Sequence, residues 1–98
     1  MSIQQSEERR SGAQPLAHIV MFSTPWCGDC RRAKRVFAAL DVPYTEIDIE
    51  HDPRAAQLVM QLNDGNRSVP TILFPDGAVL VEPSTAELEA KLNMARAS

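Results

Sequence analysis

Cys27 and Cys30 are the two cysteines of the chain, set in Thr24-Pro25-Trp26-Cys27-Gly28-Asp29-Cys30-Arg31-Arg32. The apolar run Ala17-His18-Ile19-Val20-Met21-Phe22 just before them has the composition of a buried strand. Just after them Ala33, Val36, Phe37 and Leu40 fall at i, i+3, i+4 and i+7, the apolar stripe of a helix. A Cys-x-x-Cys pair at a strand-to-helix junction is the sequence form of a thiol–disulfide redox site. It puts Cys27 at a helix N-terminus, where unpaired N–H groups and the helix dipole favour a thiolate. Cys30, one turn further in, is placed to attack Cys27 and break a mixed disulfide. The chain must therefore be α/β, with a strand feeding directly into this helix.

A length of 98 residues allows one small domain. Hydrophobic content of 44% with 23% charged residues is that of a water-soluble globular chain. A formal charge of −3, without a basic stripe interleaved with aromatics, excludes general attraction to nucleic acid. No apolar run approaches the roughly 18 residues of a membrane span, so no membrane partner is expected. Residues 1–15 are polar, with Glu7, Glu8, Arg9 and Arg10 in succession, and are expected to form a disordered N-terminal extension. They do not read as a secretory signal, which makes a reducing, cytoplasmic location the expectation. There a Cys-x-x-Cys pair serves catalysis or metal binding, and its loop is too short to staple a fold.

The folded domain is expected over residues 16–95. Asp41-Val42-Pro43 stops the first helix, because proline biases its predecessor away from helical geometry. Tyr44 to Ile49 reads as a second strand. Asp52-Pro53 opens a helix whose apolar face is Ala55, Leu58, Val59 and Leu62, ending at Asn63-Asp64-Gly65. Thr71 to Phe74 and Ala78 to Val81 form a hairpin around Pro75-Asp76-Gly77. Ser84-Thr85-Ala86-Glu87 is a capping box for a last helix with Leu88 and Leu92 inward. The order is β-α-β-α-β-β-α, with the first two strands parallel through a right-handed crossover.

Around the cysteines, Asp29 opposes a thiolate while Arg31, Arg32 and Lys34 favour one. Trp26 is either an apolar platform for an incoming disulfide or a half-buried packing residue. Gly28 is read as easing a tight turn and the approach of substrate. Pro70, opening a strand after Gly65-Asn66-Arg67-Ser68-Val69, is compatible with a cis peptide bond. In that geometry the Val69 backbone could pair with an extended substrate. A zinc set of Cys27, Cys30, His18 and His51 lacks the short spacing of a second ligand pair. Asp48, Glu50, His51 and Asp52 read as a solvated strand end with a helix cap.

These segments resemble the glutaredoxins. Thr24-Pro25-Trp26-Cys27-Gly28-Asp29-Cys30, Asp48-Ile49-Glu50-His51-Asp52 and Gly65-Asn66-Arg67-Ser68-Val69-Pro70-Thr71 look more closely like the mycoredoxins, the glutaredoxin-like proteins of actinobacteria that work with mycothiol. The likeness spans about Ala17 to Leu92. It implies a thioredoxin fold of glutaredoxin type, a four-stranded mixed sheet flanked by three helices. It implies Cys27 as nucleophile, Cys30 as resolving thiol, the two forming a redox-active disulfide, and a cis Pro70. The substrate contacts it suggests are Trp26, Gly28, Arg67, Val69, Pro70 and Thr71. It implies no bound cofactor and no metal, mycothiol as reducing co-substrate, and mycothiolated or disulfide-containing proteins as partners of a monomer.

Two positions depart from these families. Asp29 stands where tyrosine or phenylalanine is common, and Val81-Glu82-Pro83-Ser84 replaces the Gly-Gly pair that contacts glutathione in many glutaredoxins. A thioredoxin-like disulfide reductase is the alternative, although Met21 occupies the place of the buried thioredoxin aspartate. An electron-donor redoxin for ribonucleotide reductase is a related option, although the usual segment of those proteins near the last helix is missing here. A non-enzymatic metal or iron–sulfur carrier is a further alternative.

Overall fold

The computed structural model describes residues 18–97, with side chains to residue 94. The expected extension over residues 1–15 lies outside the described residues, as do residues 16 and 17. The elements are β1 (Val20–Ser23), α1 (Gly28–Ala39), β2 (Thr45–Asp48), α2 (Pro53–Leu62), β3 (Thr71–Leu73), β4 (Val79–Val81) and α3 (Thr85–Ala97). One sheet has the order β2-β1-β3-β4. β1 pairs parallel with β2, while β3 is antiparallel to both β1 and β4. This is the β-α-β-α-β-β-α order expected from the sequence, with a four-stranded mixed sheet and three helices.

The first strand is displaced toward the cysteines. It begins at Val20 rather than Ala17 and runs to Ser23, because the β2 ladder pairs Val20 with Thr45 and Ser23 with Asp48. Ile19 is nonetheless 3% exposed, and its carbonyl accepts from Thr45 N at 2.8 Å. His18 is exposed ahead of the strand.

Alternation along β1 separates two cores. Met21 joins Ile19, Ala33, Val36, Phe37, Ile72, Phe74, Leu88 and Leu92 between the sheet and α1 with α3. Phe22 joins Ile49, Ala55, Ala56 and Val59 under α2 on the other face. The α2 seam is thus Ala55, Ala56 and Val59, whereas Leu58 and Leu62 are 36% and 37% exposed. This corrects the expected face. Ala55, Ala56 and Val59 form the stripe that meets Phe22 and Ile49, which leaves Leu58 and Leu62 at its margins.

Local stereochemistry sets the ends of the helices. α1 ends because Asp41 takes a left-handed φ of 56°, with Val42 N donating to Phe37 O at 3.0 Å and Asp41 N to Ala38 O at 3.1 Å. That pairing closes the helix one residue pair before Pro43 acts. Asp52 caps α2 by accepting from Ala55 N at 3.1 Å, and Pro53 fills its first turn. The capping box of α3 is reciprocal: Glu87 N donates to Ser84 Oγ at 3.1 Å, and Ser84 N donates to Glu87 Oε1 at 2.8 Å. Ser84→Ala is expected to cost about 1 kcal/mol in a denaturant melt, the usual worth of such a cap. Among the described residues no helix is long and apolar enough to cross a membrane.

Candidate active site

β1 delivers the chain at Ser23 into Thr24-Pro25-Trp26, and Cys27 then acts as the N-cap of α1 with extended backbone at φ −90°, ψ 114°. Its sulfur takes the place of the usual capping oxygen, accepting from Cys30 N at 3.0 Å. The N–H that caps the helix is thus aimed at the Cys27 sulfur. Cys27 is 9% exposed and Cys30 1%, and both are free thiols.

The two sulfurs are not equivalent. Burial pushes the Cys30 thiol up to about 12, and its hydrogen bond with Cys27 adds to this. The Thr24 backbone acts in the opposite sense, while the negative charges of Cys27 and Glu46 reinforce the rise. One thiol is therefore held at a helix start near the surface, and the other is kept protonated beneath it.

The loop between α2 and β3 closes over the pair. The Val69–Pro70 peptide bond is cis, and the Val69 carbonyl lies 3.8 Å from Cys27 Sγ, which donates to it. Pro70 is buried and Val69 half-buried beside it. Thr71 is 0% exposed, and both roles of its hydroxyl are used: it donates to Ser68 O at 2.7 Å and accepts from Asn63 Nδ2 at 3.0 Å. The Thr71 side chain thus ties the loop to the end of α2. Asn63 and Ser68, which sequence reasoning did not single out, complete that tie.

Trp26 is 68% exposed, so the packing reading gives way to an apolar face presented beside Cys27. Gly28 is not required by a turn: its φ is not in the left-handed region, and an added Cβ would meet no atom within 4 Å. What it leaves is open space next to Cys27. Asp29 is exposed and paired with Arg32 at 2.9 Å, which offsets its charge toward the sulfurs. Arg67 is exposed on the loop. His51 meets Asp48 at 2.7 Å, and that hydrogen bond holds the Asp48 carboxyl below its ordinary range. Neither His51 nor His18 is gathered with the cysteines into a metal-binding group among the described residues.

Paired thiols of unequal character, one at a helix start and facing a cis-proline loop, define a thiol–disulfide oxidoreductase of the thioredoxin superfamily. The glutaredoxin family model matches residues 19–79. A Mycobacterium tuberculosis protein named a candidate glutaredoxin is 46% identical over 76 residues, covering 78% of this chain and 90% of that protein. Mycoredoxin 1 of Corynebacterium glutamicum is 34% identical over 77 residues, covering 79% of this chain and 95% of its own. A crystal structure of a point mutant of a thioredoxin-like protein superposes with a TM-score of 0.68 at 28% identity, covering 76% of this chain and 94% of that one. The solution structure of a Brucella melitensis glutaredoxin shares the fold, with a TM-score of 0.60 at 20% identity and coverage of 88% and 89%. The chain belongs to the glutaredoxin family.

Proposed function

We infer that the chain reduces mixed disulfides between mycothiol and a protein or small thiol, with Cys27 as nucleophile and Cys30 as resolving thiol. The observation that carries the cysteine roles is their asymmetry. Cys27 Sγ receives a helix N–H at 3.0 Å near the surface, whereas burial pushes the Cys30 thiol up to about 12. The attacking sulfur must be reachable and ionised, and the resolving sulfur need only reach its neighbour.

In the first step the Cys27 thiolate attacks the mycothiol sulfur, the mixed disulfide breaks, and the released partner leaves as a thiolate that takes up a proton. Cys27 is then disulfide-bonded to mycothiol. A second mycothiol attacks that bond, giving mycothiol disulfide and the Cys27 thiolate. Alternatively Cys30 loses its proton and attacks Cys27, which expels mycothiol and leaves the Cys27–Cys30 disulfide. Trp26 offers the bound thiol an apolar face, Gly28 leaves it room, and Val69 and Pro70 form the opposite wall. Arg67 stands at the rim of that wall.

The mycothiol assignment draws support from the likeness to mycoredoxin 1 and from Val81-Glu82-Pro83-Ser84, which stands where a Gly-Gly pair contacts glutathione in many glutaredoxins. In this reading the protein works as a cytoplasmic monomer on mycothiolated and disulfide-containing proteins. Turnover of one reporter thiol should be at least tenfold faster when its mixed disulfide carries mycothiol than when it carries glutathione. Equal or reversed rates, measured by release of the reporter, would overturn the mycothiol assignment and leave the cysteine roles standing.

A further inference from the structure

The reaction just described uses no charged group on the sheet face that α1 covers, yet one is built there. Cys30 lies on the same helical stripe as Ala33 and Phe37, which pack on the core containing Met21. Parallel pairing places Glu46 opposite Met21, so both project to this face of the sheet, as does Ser23 two residues further along β1. Ser23 is 1% exposed, and its hydroxyl donates to Glu46 Oε2 at 2.7 Å. Lys34 stands four residues after Cys30 on α1, and its Nζ lies 3.2 Å from Glu46 Oε2 and 3.3 Å from Oε1. A buried serine and a lysine one helical turn after Cys30 thus hold one carboxylate on the sheet face that α1 covers.

We propose that Glu46 is a positioning residue for the resolving step: its carboxylate opposes negative charge on Cys30 and biases the Cys27 mixed disulfide toward release by an external thiol. Lys34 opposes that bias by offsetting the carboxylate. Glu46 acts on Cys30 in the same direction as burial, and it raises Tyr44 as well, with Lys34 acting in the opposite sense there. Cys27 is hydrogen-bonded to Cys30, and the charged and titratable groups of this cluster are Lys34 from α1, Glu46 from β2 and Tyr44 ahead of that strand, while Lys91 of α3 lies over Phe74 of the same core and is paired with Asp76. Leu88 and Leu92 from α3, with Ile72 from β3, bring no charge to this core. The inference rests on the assignment of Cys27 as nucleophile and Cys30 as resolving thiol.

In the two-cysteine route Cys30 S–H gives its proton to solvent and the sulfur attacks Cys27. The Cys27–Cys30 bond forms, the bond from Cys27 to substrate breaks, and the substrate thiolate departs. The cysteines are oxidised by two electrons and the substrate is reduced by two. Removing the Glu46 charge eases the first of these events. Exposed charge pairs move a neighbouring group by about half a pH unit. A less basic thiolate is also a weaker nucleophile, with a Brønsted coefficient of about 0.4–0.5, which cancels about half of the gain.

The test treats the reduced protein with an aryl disulfide whose released thiolate is yellow. Attack by Cys27 frees one equivalent, and attack by Cys30 on the resulting mixed disulfide frees the second. The ratio of second-phase to first-phase rate is followed against pH. Glu46→Gln should raise that ratio about twofold at neutral pH and move its rising limb to lower pH. Lys34→Gln should lower it about twofold, and Glu46→Asp should restore the parent profile. Opposite signs for the two charge removals are what a general loosening of the site does not produce. Superimposable profiles for the parent, Glu46→Gln and Lys34→Gln, or changes of the same sign, overturn the proposal. A second phase that persists in Cys30→Ala shows instead that the cysteine roles themselves are wrong.

Discussion

Cys27→Ser is expected to drop turnover of a mycothiol mixed disulfide to the uncatalysed background, while Cys30→Ala keeps the route that uses a second mycothiol. Serine at position 27 is a preferred N-cap, so α1 retains a capping atom and lost activity reports the missing sulfur rather than a frayed helix. Alanine is the better probe at position 30. That site is 1% exposed, and a serine hydroxyl left unpaired there would cost about 1–3 kcal/mol. Steady-state release of a reporter thiol separates the two variants directly. On an intramolecular protein disulfide the pattern changes, because Cys30→Ala can no longer expel the bound protein. Equal loss in both variants on the mycothiol mixed disulfide would remove the one-cysteine route.

Phe37→Ala is expected to destabilise the fold by about 3–5 kcal/mol, the cost of emptying a large buried aromatic site. Phe37 is 0% exposed in the core between α1 and the sheet, and its ring stacks on Tyr44 with centroids 4.2 Å apart. It links the helix that carries the cysteines to the segment leading into β2. Small domains have only about 5–15 kcal/mol in total, so this loss is a large fraction. The melting temperature should fall by roughly 12–40 °C, at about 4–8 °C per kcal/mol. Leu58→Ala, by contrast, should change stability by less than about 1 kcal/mol, since Leu58 is 36% exposed. Had Leu58 faced the core as the helical stripe suggested, both substitutions would cost alike, and paired urea melts decide between the two arrangements.

The stripe on α2 shows where pattern reading reaches its limit. Ala55, Leu58, Val59 and Leu62 form a valid helical face, and so do Ala55, Ala56 and Val59. Periodicity alone does not choose between them, because the choice depends on how closely the helix can approach the sheet. On α1 and α3 the pattern left no such choice, and Ala33, Val36, Phe37, Leu88 and Leu92 are all buried. The end of α1 was legible to within a few residues from Pro43, although the stop itself is the left-handed Asp41.

Within the site, the cysteine pair was readable from residue type and spacing and the cis Val69–Pro70 bond from the family resemblance, whereas Ser23 and Glu46 were not. Ser23 lies just past the Ala17–Phe22 run and Glu46 within the Tyr44–Ile49 strand, and neither stands out by residue type. Their meeting needs β1 and β2 in register, across a separation of 23 residues. The tie that the Thr71 hydroxyl makes to Ser68 and Asn63 was likewise not legible, since it depends on how the loop folds back on the end of α2.

By itself the sequence determined the features that depend on neighbours along the chain: the strand-to-helix junction at Cys27, the caps at Asp52 and Ser84, the turn at Asp76-Gly77, and the order of elements. These follow from backbone stereochemistry and from hydrogen bonds reaching only a few residues. The tertiary structure decided what Cys27 and Cys30 face. The Val69 carbonyl approaches Cys27 from 42 residues away, and Glu46 reaches Ser23 and Lys34 from the adjacent strand. Burial, which separates the character of the two sulfurs, exists only once both cores have closed.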